Sequence, residues 1–177
     1  MNKSPIAHAS KICRHLNQMK DFVWIEIGVN QGTTAQFVLS NFNVKQAVLI
    51  DPYCEWDLLA TAAETRKAQA LSLLEPYRNK IEWHFQPSTC CAHSIEQDFG
   101  DVLFIDGDHS YQPVAADLDL YVSKIRPGGL IICDDSNEPG VAQAVSEFLQ
   151  GTDIKPFFTQ YKTSKKHQLE LTWWLNG

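Results

Sequence analysis

Residues 22–32 read FVWIEIGVNQG. The first six are apolar, aromatic or β-branched except for Glu26, which marks Phe22–Ile27 as a short buried strand. The glycine loop 28–32 breaks it, and Thr33–Asn41 follows as a helix opened by Thr33 or Thr34. A strand that passes through a glycine loop into a helix is half of a βαβ unit, and the rest of the chain repeats the theme. Residues 46–50 (QAVLI) form a second strand, stopped by Asp51-Pro52. A long helix is expected from Asp57 to about Tyr77, with Asp57 as its N-cap and Leu59, Ala63, Ala70 and Leu74 along one face. Strands are expected at 81–85, 101–105 (DVLFI) and 130–133 (LIIC), with a short helix over 90–97. Val114, Leu118, Tyr121, Val122 and Ile125 fall at helical spacing before Pro127-Gly128-Gly129, and 141–149 is helical. Residues 154–161 and 168–174 close the chain as two strands around the polar turn 162–167.

Strands alternating with helices imply right-handed crossovers and a parallel sheet covered on both faces, an α/β doubly wound fold. The last two strands are joined by a short polar loop, so they pair as an antiparallel hairpin at the sheet edge and bring the strand number to seven. In such a fold ligands bind outside the carboxyl ends of the strands. That directs attention to 28–32, Asp51, 86–88, 106–111 and 134–137, where the unusual polar residues concentrate.

The chain has 177 residues, enough for one domain, 1–177, with residues 1–21 as an N-terminal helical segment. Fifteen Lys and Arg stand against 21 acids, a net charge of −6, which argues against a nucleic-acid binder. No apolar run reaches membrane-spanning length, and the N-terminus lacks the apolar stretch of a signal peptide, so no membrane partner is expected. Five cysteines without a CxxC pair, two of them adjacent (Cys90, Cys91), suit reduced thiols in a cytoplasmic protein.

The loop spacing is G-x-x-x-G, with Asn30 where a dinucleotide fingerprint needs its middle glycine. Such a loop suits a ligand without a pyrophosphate, and Glu26 would repel one; a plain strand–helix turn is the other reading. Asp51 lies 23 residues after Gly28, at the tip of the second strand. Its carboxylate can accept both hydroxyls of a ribose, or it can simply start the turn before Pro52.

Glu26–Thr34 (EIGVNQGTT), Asp51, 100–111 (GDVLFIDGDHSY) and 126–135 (RPGGLIICDD) together resemble the class I S-adenosylmethionine-dependent methyltransferases. Within that class they are similar to the metal-dependent small-molecule O-methyltransferases, such as the catechol and caffeoyl-CoA enzymes and the macrolide-sugar group. The resemblance runs from Phe22 to the end and implies a Rossmann-like sheet. It implies S-adenosyl-L-methionine as cofactor, held by Glu26, Gly28, Asn30, Gly32, Thr33, Asp51, Ser88 and Asp106. Tyr53 or Trp56 would cover the adenine or the sulfonium, or else only pack.

In this family the strands ending at Asp106 and at Asp134-Asp135 are neighbours, so three carboxylates would meet at one rim. Their mutual repulsion calls for an offsetting charge, and Mg²⁺ held by Asp106, Asp134 and Asp135 would supply it. The alternative is that Asp134 and Asp135 only cap the next loop. His109 is placed to take a proton from a substrate hydroxyl, with Asp106 beside it as the second catalytic candidate, or to shape the loop by bonding Asp106 or Asp108. Tyr111 would meet substrate or pack at the helix start.

The implied partner is a small-molecule acceptor. The short segment before the first strand leaves the acceptor pocket open or closed by a partner subunit. Trp173 and Trp174 would point to opposite sides of the last strand, and an exposed indole there would hint at a homodimer face. A catalytically degenerate binder of S-adenosylmethionine or S-adenosylhomocysteine is the competing reading. A NAD-linked oxidoreductase is disfavoured by the missing middle glycine.

Overall fold

The computed structural model describes residues 4–54, 60–162 and 168–177. The expected Asp57 cap, Trp56 and most of the polar turn 162–167 lie outside these residues. A single 3₁₀ turn and helix α1 (Ser10–Gln18) precede strand β1 (Phe22–Ile27). Then follow α2 (Thr33–Asn41), β2 (Val44–Ile50), α3 (Ala60–Leu74), β3 (Ile81–His84), α4 (Ser88–Cys91), β4 (Gly100–Ile105), α5 (Tyr111–Tyr121), β5 (Ile125–Cys133), α6 (Pro139–Leu149), β6 (Phe157–Lys162) and β7 (Gln168–Leu175). The seven strands form one sheet in the order β3-β2-β1-β4-β5-β7-β6. The first five are parallel, and β7 runs antiparallel between β5 and β6. The architecture is the doubly wound, Rossmann-like sheet expected from the sequence, with its antiparallel closing hairpin.

Element ends differ where turn chemistry overrides pattern. Helix α2 is capped by Gly32 in the left-handed conformation, with no side-chain cap from either threonine. The helix read as running to Tyr77 stops at Leu74 and tightens into a 3₁₀ turn, Glu75–Lys80, which has Pro76 at its start. Strand β5 begins five residues early, at Ile125, because the Pro127-Gly128-Gly129 stretch is taken into the sheet as an irregularity in its register with β4.

The period-two alternation of the strands divides the core into two layers. Trp24, Phe104, Ile132 and Trp173 belong to the layer that also holds Ile12 and Leu16 of α1 and Val38 of α2. Ile25, Leu103, Ile131 and Trp174 belong to the other, with Leu118 and Tyr121 of α5 and Val141 of α6. Trp173 and Trp174 do face opposite ways, but neither indole is exposed: they are 7% and 1% accessible. Strand β7 is internal, so Phe157 stacks on Trp173 at 4.5 Å and Phe148 lies 6.2 Å from Trp174. The hint of a dimer face from an exposed indole therefore has no basis.

Gly28 marks the tightest crossing. Its φ is +87°, and a Cβ there would lie 2.0 Å from the backbone oxygen of Asp106. Gly128 has a similar φ of +77°, but a Cβ there would meet nothing within 4 Å. Gly128→Ala should cost about 1 kcal/mol, the left-handed penalty alone. Gly28→Ala should cost roughly 3 kcal/mol or more, because two backbones must separate. Urea midpoints of the two variants check this; equal losses would show that steric crowding at Gly28 is unimportant.

Candidate active site

The parallel strands end in register, so the residues that follow them share one rim. Gly28 N–H donates to Ile50 O at 2.9 Å, Asp106 N–H to Ile27 O at 2.8 Å and Asp134 N–H to Ile105 O at 2.9 Å. Over this rim opens a cleft of about 800 Å³. Of the expected cofactor residues, Gly28, Asn30, Asp51, Ser88 and Asp106 line it, together with Tyr53.

Asp51 organises the near side. Its Oδ2 accepts the Asn30 N–H and its Oδ1 the Tyr53 N–H, each at 2.8 Å. The Tyr53 hydroxyl donates back to Asn30 O at 2.8 Å, and burial raises its pKa. Asn30 and Tyr53 both have positive φ, 51° and 43°. That conformation is unusual for an aromatic residue and persists where surrounding bonds over-determine it. Each Asp51 oxygen keeps a lone pair for a ligand hydroxyl. Asp51 thus starts the turn and keeps acceptor capacity in the wall of the cleft.

Three expected cofactor residues do not line the cleft. Glu26 shares its strand face with Trp24, two residues earlier, and is carried beneath the rim. The Trp24 indole donates to its Oε2 at 2.7 Å, while the buried Oε1 has no hydrogen-bond partner among the described residues. Burial pushes its carboxyl from 4.5 up to about 8, so it is a neutral acid at pH 7. Gly32 is pressed on α3, where a Cβ would meet Leu74 Cδ1 at 3.1 Å and Ala70 at 3.3 Å. Thr33 is half-buried as the first residue of α2.

At the far side, Asp106, His109 and Asp135 bring one ligand atom each to within 4.8 Å of one another. His109 Nε2 is 3.5 Å from Asp135 Oδ2 and 3.8 Å from Asp106 Oδ1. Asp134 is outside this group: its Oδ1 accepts the N–H of Asp135, which sits at φ 49°. That kink turns Asp135 toward His109. The expected trio of carboxylates is therefore two carboxylates and an imidazole. Asp106 pairs the His109 ring and, against the opposing effect of burial, raises it from 6.5 to about 9, with Asp135 and Glu138 adding to the rise. Burial pushes Asp106 up to about 6, with His109 pulling down and Asp135 pushing up. Burial raises Asp135 as well. An imidazolium thus offsets part of the acidic charge for which a metal cation is expected from the sequence.

The loop that carries His109 is held by its neighbours. Asp108 Oδ1 accepts the Ser110 N–H at 2.8 Å, so Asp108 shapes the turn and does not bond His109. A Cβ on Gly140, in the first turn of α6, would lie 2.4 Å from His109 O. The Tyr111 hydroxyl donates to Glu147 at 2.6 Å, which ties the start of α5 to α6.

Sequence reasoning missed two charged residues that line the cleft, Arg66 and Asp117. The signal for Asp117 was present. It stands with Val114, Leu118 and Tyr121 on one helical stripe, and all four are buried. Arg66 carried no comparable signal.

Two titrations follow. The raised pKa of Glu26 means its contribution is fully present below pH 4.5 and lost as pH rises through about 8. Glu26→Gln keeps the acceptor for Trp24 and should flatten that slope, matching or exceeding wild-type stability at pH 7.5 in guanidinium melts from pH 5 to 9. For His109, also raised, stabilisation is present below pH 6.5 and lost through about 9. The Tm gap between wild type and His109→Gln should therefore narrow across pH 6.5–10; a constant gap would show that the ring is not held by the acids.

Comparison with known proteins agrees with the geometry. The model of the methyltransferase domain family matches residues 25–136. An uncharacterised protein of Acanthamoeba polyphaga mimivirus is 28% identical over 147 residues, covering 73% of this chain; the match spans 60% of that relative's length. Among solved structures, an O-methyltransferase from Bacillus cereus in complex with S-adenosylhomocysteine superposes with a TM-score of 0.71 at 19% identity, over 97% of this chain and 81% of its own. An rRNA methylase from Streptococcus thermophilus gives 0.69 at 13% identity, over 99% and 98%. At such identities these likenesses speak for the fold. With the rim, the cleft and the family match together, this chain belongs to the methyltransferase domain family.

Proposed function

We propose that the chain transfers a methyl group from S-adenosylmethionine to a hydroxyl of a small molecule, with Asp106, His109 and Asp135 as the centre that prepares the acceptor. The observation that carries this reading is the place of Asp106. It lines the cofactor-sized cleft and also belongs to the acid–imidazole group beyond it. A donor in the cleft and an acceptor at that group would meet across one side chain, and methyl transfer needs this proximity.

The cleft also has the right sign of charge. Asp51, Asp106, Asp108 and Asp117 line it against a single cation, Arg66, among the described residues. Such a field favours a sulfonium ligand over a pyrophosphate. When bound, S-adenosylmethionine supplies the electrophilic methyl. Asp51 would hold its ribose through the lone pairs left free by Asn30 and Tyr53, and Gly28 and Asn30 would border the methionine part.

The donor set at the second group fits a divalent cation. It offers two carboxylates and an imidazole, and Asp135 Oδ1 is buried with no hydrogen-bond partner among the described residues. The nitrogen ligand makes Mn²⁺ as suitable as Mg²⁺. A divalent ion there would supply Lewis-acid charge to an acceptor oxygen. His109 holds a proton between two acids near neutral pH, so it serves as a base or as a metal ligand only after giving that proton up. The net charge of −6 favours a small acceptor over RNA.

The test is binding first and turnover second. S-adenosylhomocysteine should raise the Tm by mass action while NAD does not, and Asp51→Asn should weaken binding by at least about tenfold. Methyl transfer from radiolabelled S-adenosylmethionine should then appear on a phenol, catechol or sugar, and fall with Asp135→Ala or with chelator. No S-adenosylhomocysteine shift would overturn the whole reading; binding without transfer to any hydroxyl, sugar or amine acceptor would leave a non-catalytic binder.

A further inference from the structure

Helix α5 holds the cleft end of α4 at two points one turn apart. Asp117 Oδ1 accepts the hydroxyl hydrogen of Ser88 at 2.5 Å. The Tyr121 hydroxyl donates to the backbone oxygen of the same Ser88 at 2.7 Å. Asp117 is 3% exposed, yet both it and Ser88 reach the cleft. Among the described residues Asp117 has no ion-pair partner, and Ser88 is its hydrogen-bond donor. A buried carboxylate with one neutral donor is costly to keep, so its place in the wall of a ligand cleft calls for a reason.

Donor and acceptor accounting supplies one. A serine hydroxyl has one hydrogen and two lone pairs, and an ionised carboxylate only accepts. Once Ser88 gives its hydrogen to Asp117, what Oγ can offer a ligand is lone pairs. The remaining capacity of Asp117 is also acceptor capacity. This stretch of wall therefore rewards a ligand group that donates and repels one that presents a carbonyl oxygen. Burial lifts the Asp117 carboxyl to about 6, so at pH 8 it is ionised and only accepts.

We propose that Asp117, acting through the hydroxyl of Ser88, selects a 6-amino purine over a 6-oxo purine in the nucleoside bound by the cleft. The selection rests on the donor reading of the preceding subsection and deepens it. Asp117 is a positioning residue here: it sets which way the Ser88 hydrogen points, and with Asp51 taken by the ribose and Gly28 and Asn30 by the methionine part, the wall at Ser88 is left to the purine edge. In Asp117→Asn the amide can donate to Ser88 Oγ. The hydroxyl hydrogen is then free to turn into the cleft, where a 6-oxo group would welcome it.

The experiment measures Kd by calorimetry at pH 8 for S-adenosylhomocysteine and for its 6-oxo analogue, S-inosylhomocysteine. Wild type should prefer the adenosyl compound by about 30-fold, the worth of one hydrogen bond with charge assistance. Asp117→Asn should compress that ratio to about threefold or less. Ser88→Ala, at a half-buried site, serves as a second variant that does not disturb the helix and should compress it likewise. A purely structural role for Asp117 would weaken both ligands together and leave the ratio unchanged, which would overturn the proposal. Equal binding of the two ligands by wild type would also overturn it while leaving the donor reading intact. Binding of neither would overturn both.

Discussion

Everything at the active end hangs on the hydrogen-bond ladder that continues past the ends of neighbouring parallel strands. Asp51 N–H to His84 O, Gly28 N–H to Ile50 O, Asp106 N–H to Ile27 O and Asp134 N–H to Ile105 O tie successive loops in one row. The central strands are buried on both faces, so their register is strongly specified by packing. Loops that leave a fixed row are fixed at their roots. That is how residues far apart in the chain come to share a cleft without a dedicated binding element.

The electrostatic character of the rim follows from that geometry. Acids arrive on several loops, and few bases accompany them. The structure meets the resulting cost in three ways. Asp51 is satisfied by backbone N–H groups, Asp106 and Asp135 share an imidazolium, and Asp117 takes a serine hydrogen. Glu26, beneath the rim, is held by the Trp24 indole and kept as a neutral acid by burial. Local backbone conformations help to aim these groups, since Asn30, Tyr53 and Asp135 are all left-handed.

Much of this is legible in the sequence because buried parallel strands write themselves as continuous apolar runs. QAVLI, DVLFI and LIIC locate three of the parallel strands, and the residues that follow them include Asp51, Asp106 and Asp135, which do reach the site. The misses have physical causes. Glu26 belongs to the Trp24 face by strand parity, a rule that its motif position obscures. Asp134 and Asp135 look equivalent as adjacent acids, yet the kink at Asp135 sends them to different partners. Spacing alone allows His109 to be a base or a loop former; its position between two acids gives it a charge role that spacing does not reveal. Asp117 escapes notice because an acid on a buried helical stripe runs against the hydrophobic pattern that locates the stripe.

The placement of β7 bears on how the sheet is completed. Strand β6 precedes β7 in the chain, but β7 lies between it and β5. During synthesis β6 emerges from the ribosome with nothing to pair with, and its Phe157 and Phe158 stay accessible even in the finished molecule, at 47% and 61%. In the finished sheet β6 therefore depends on β7 for its place, since β7 is the strand it pairs with. Trp173 and Trp174, adjacent on β7, give one indole to each core layer, so this one strand completes both.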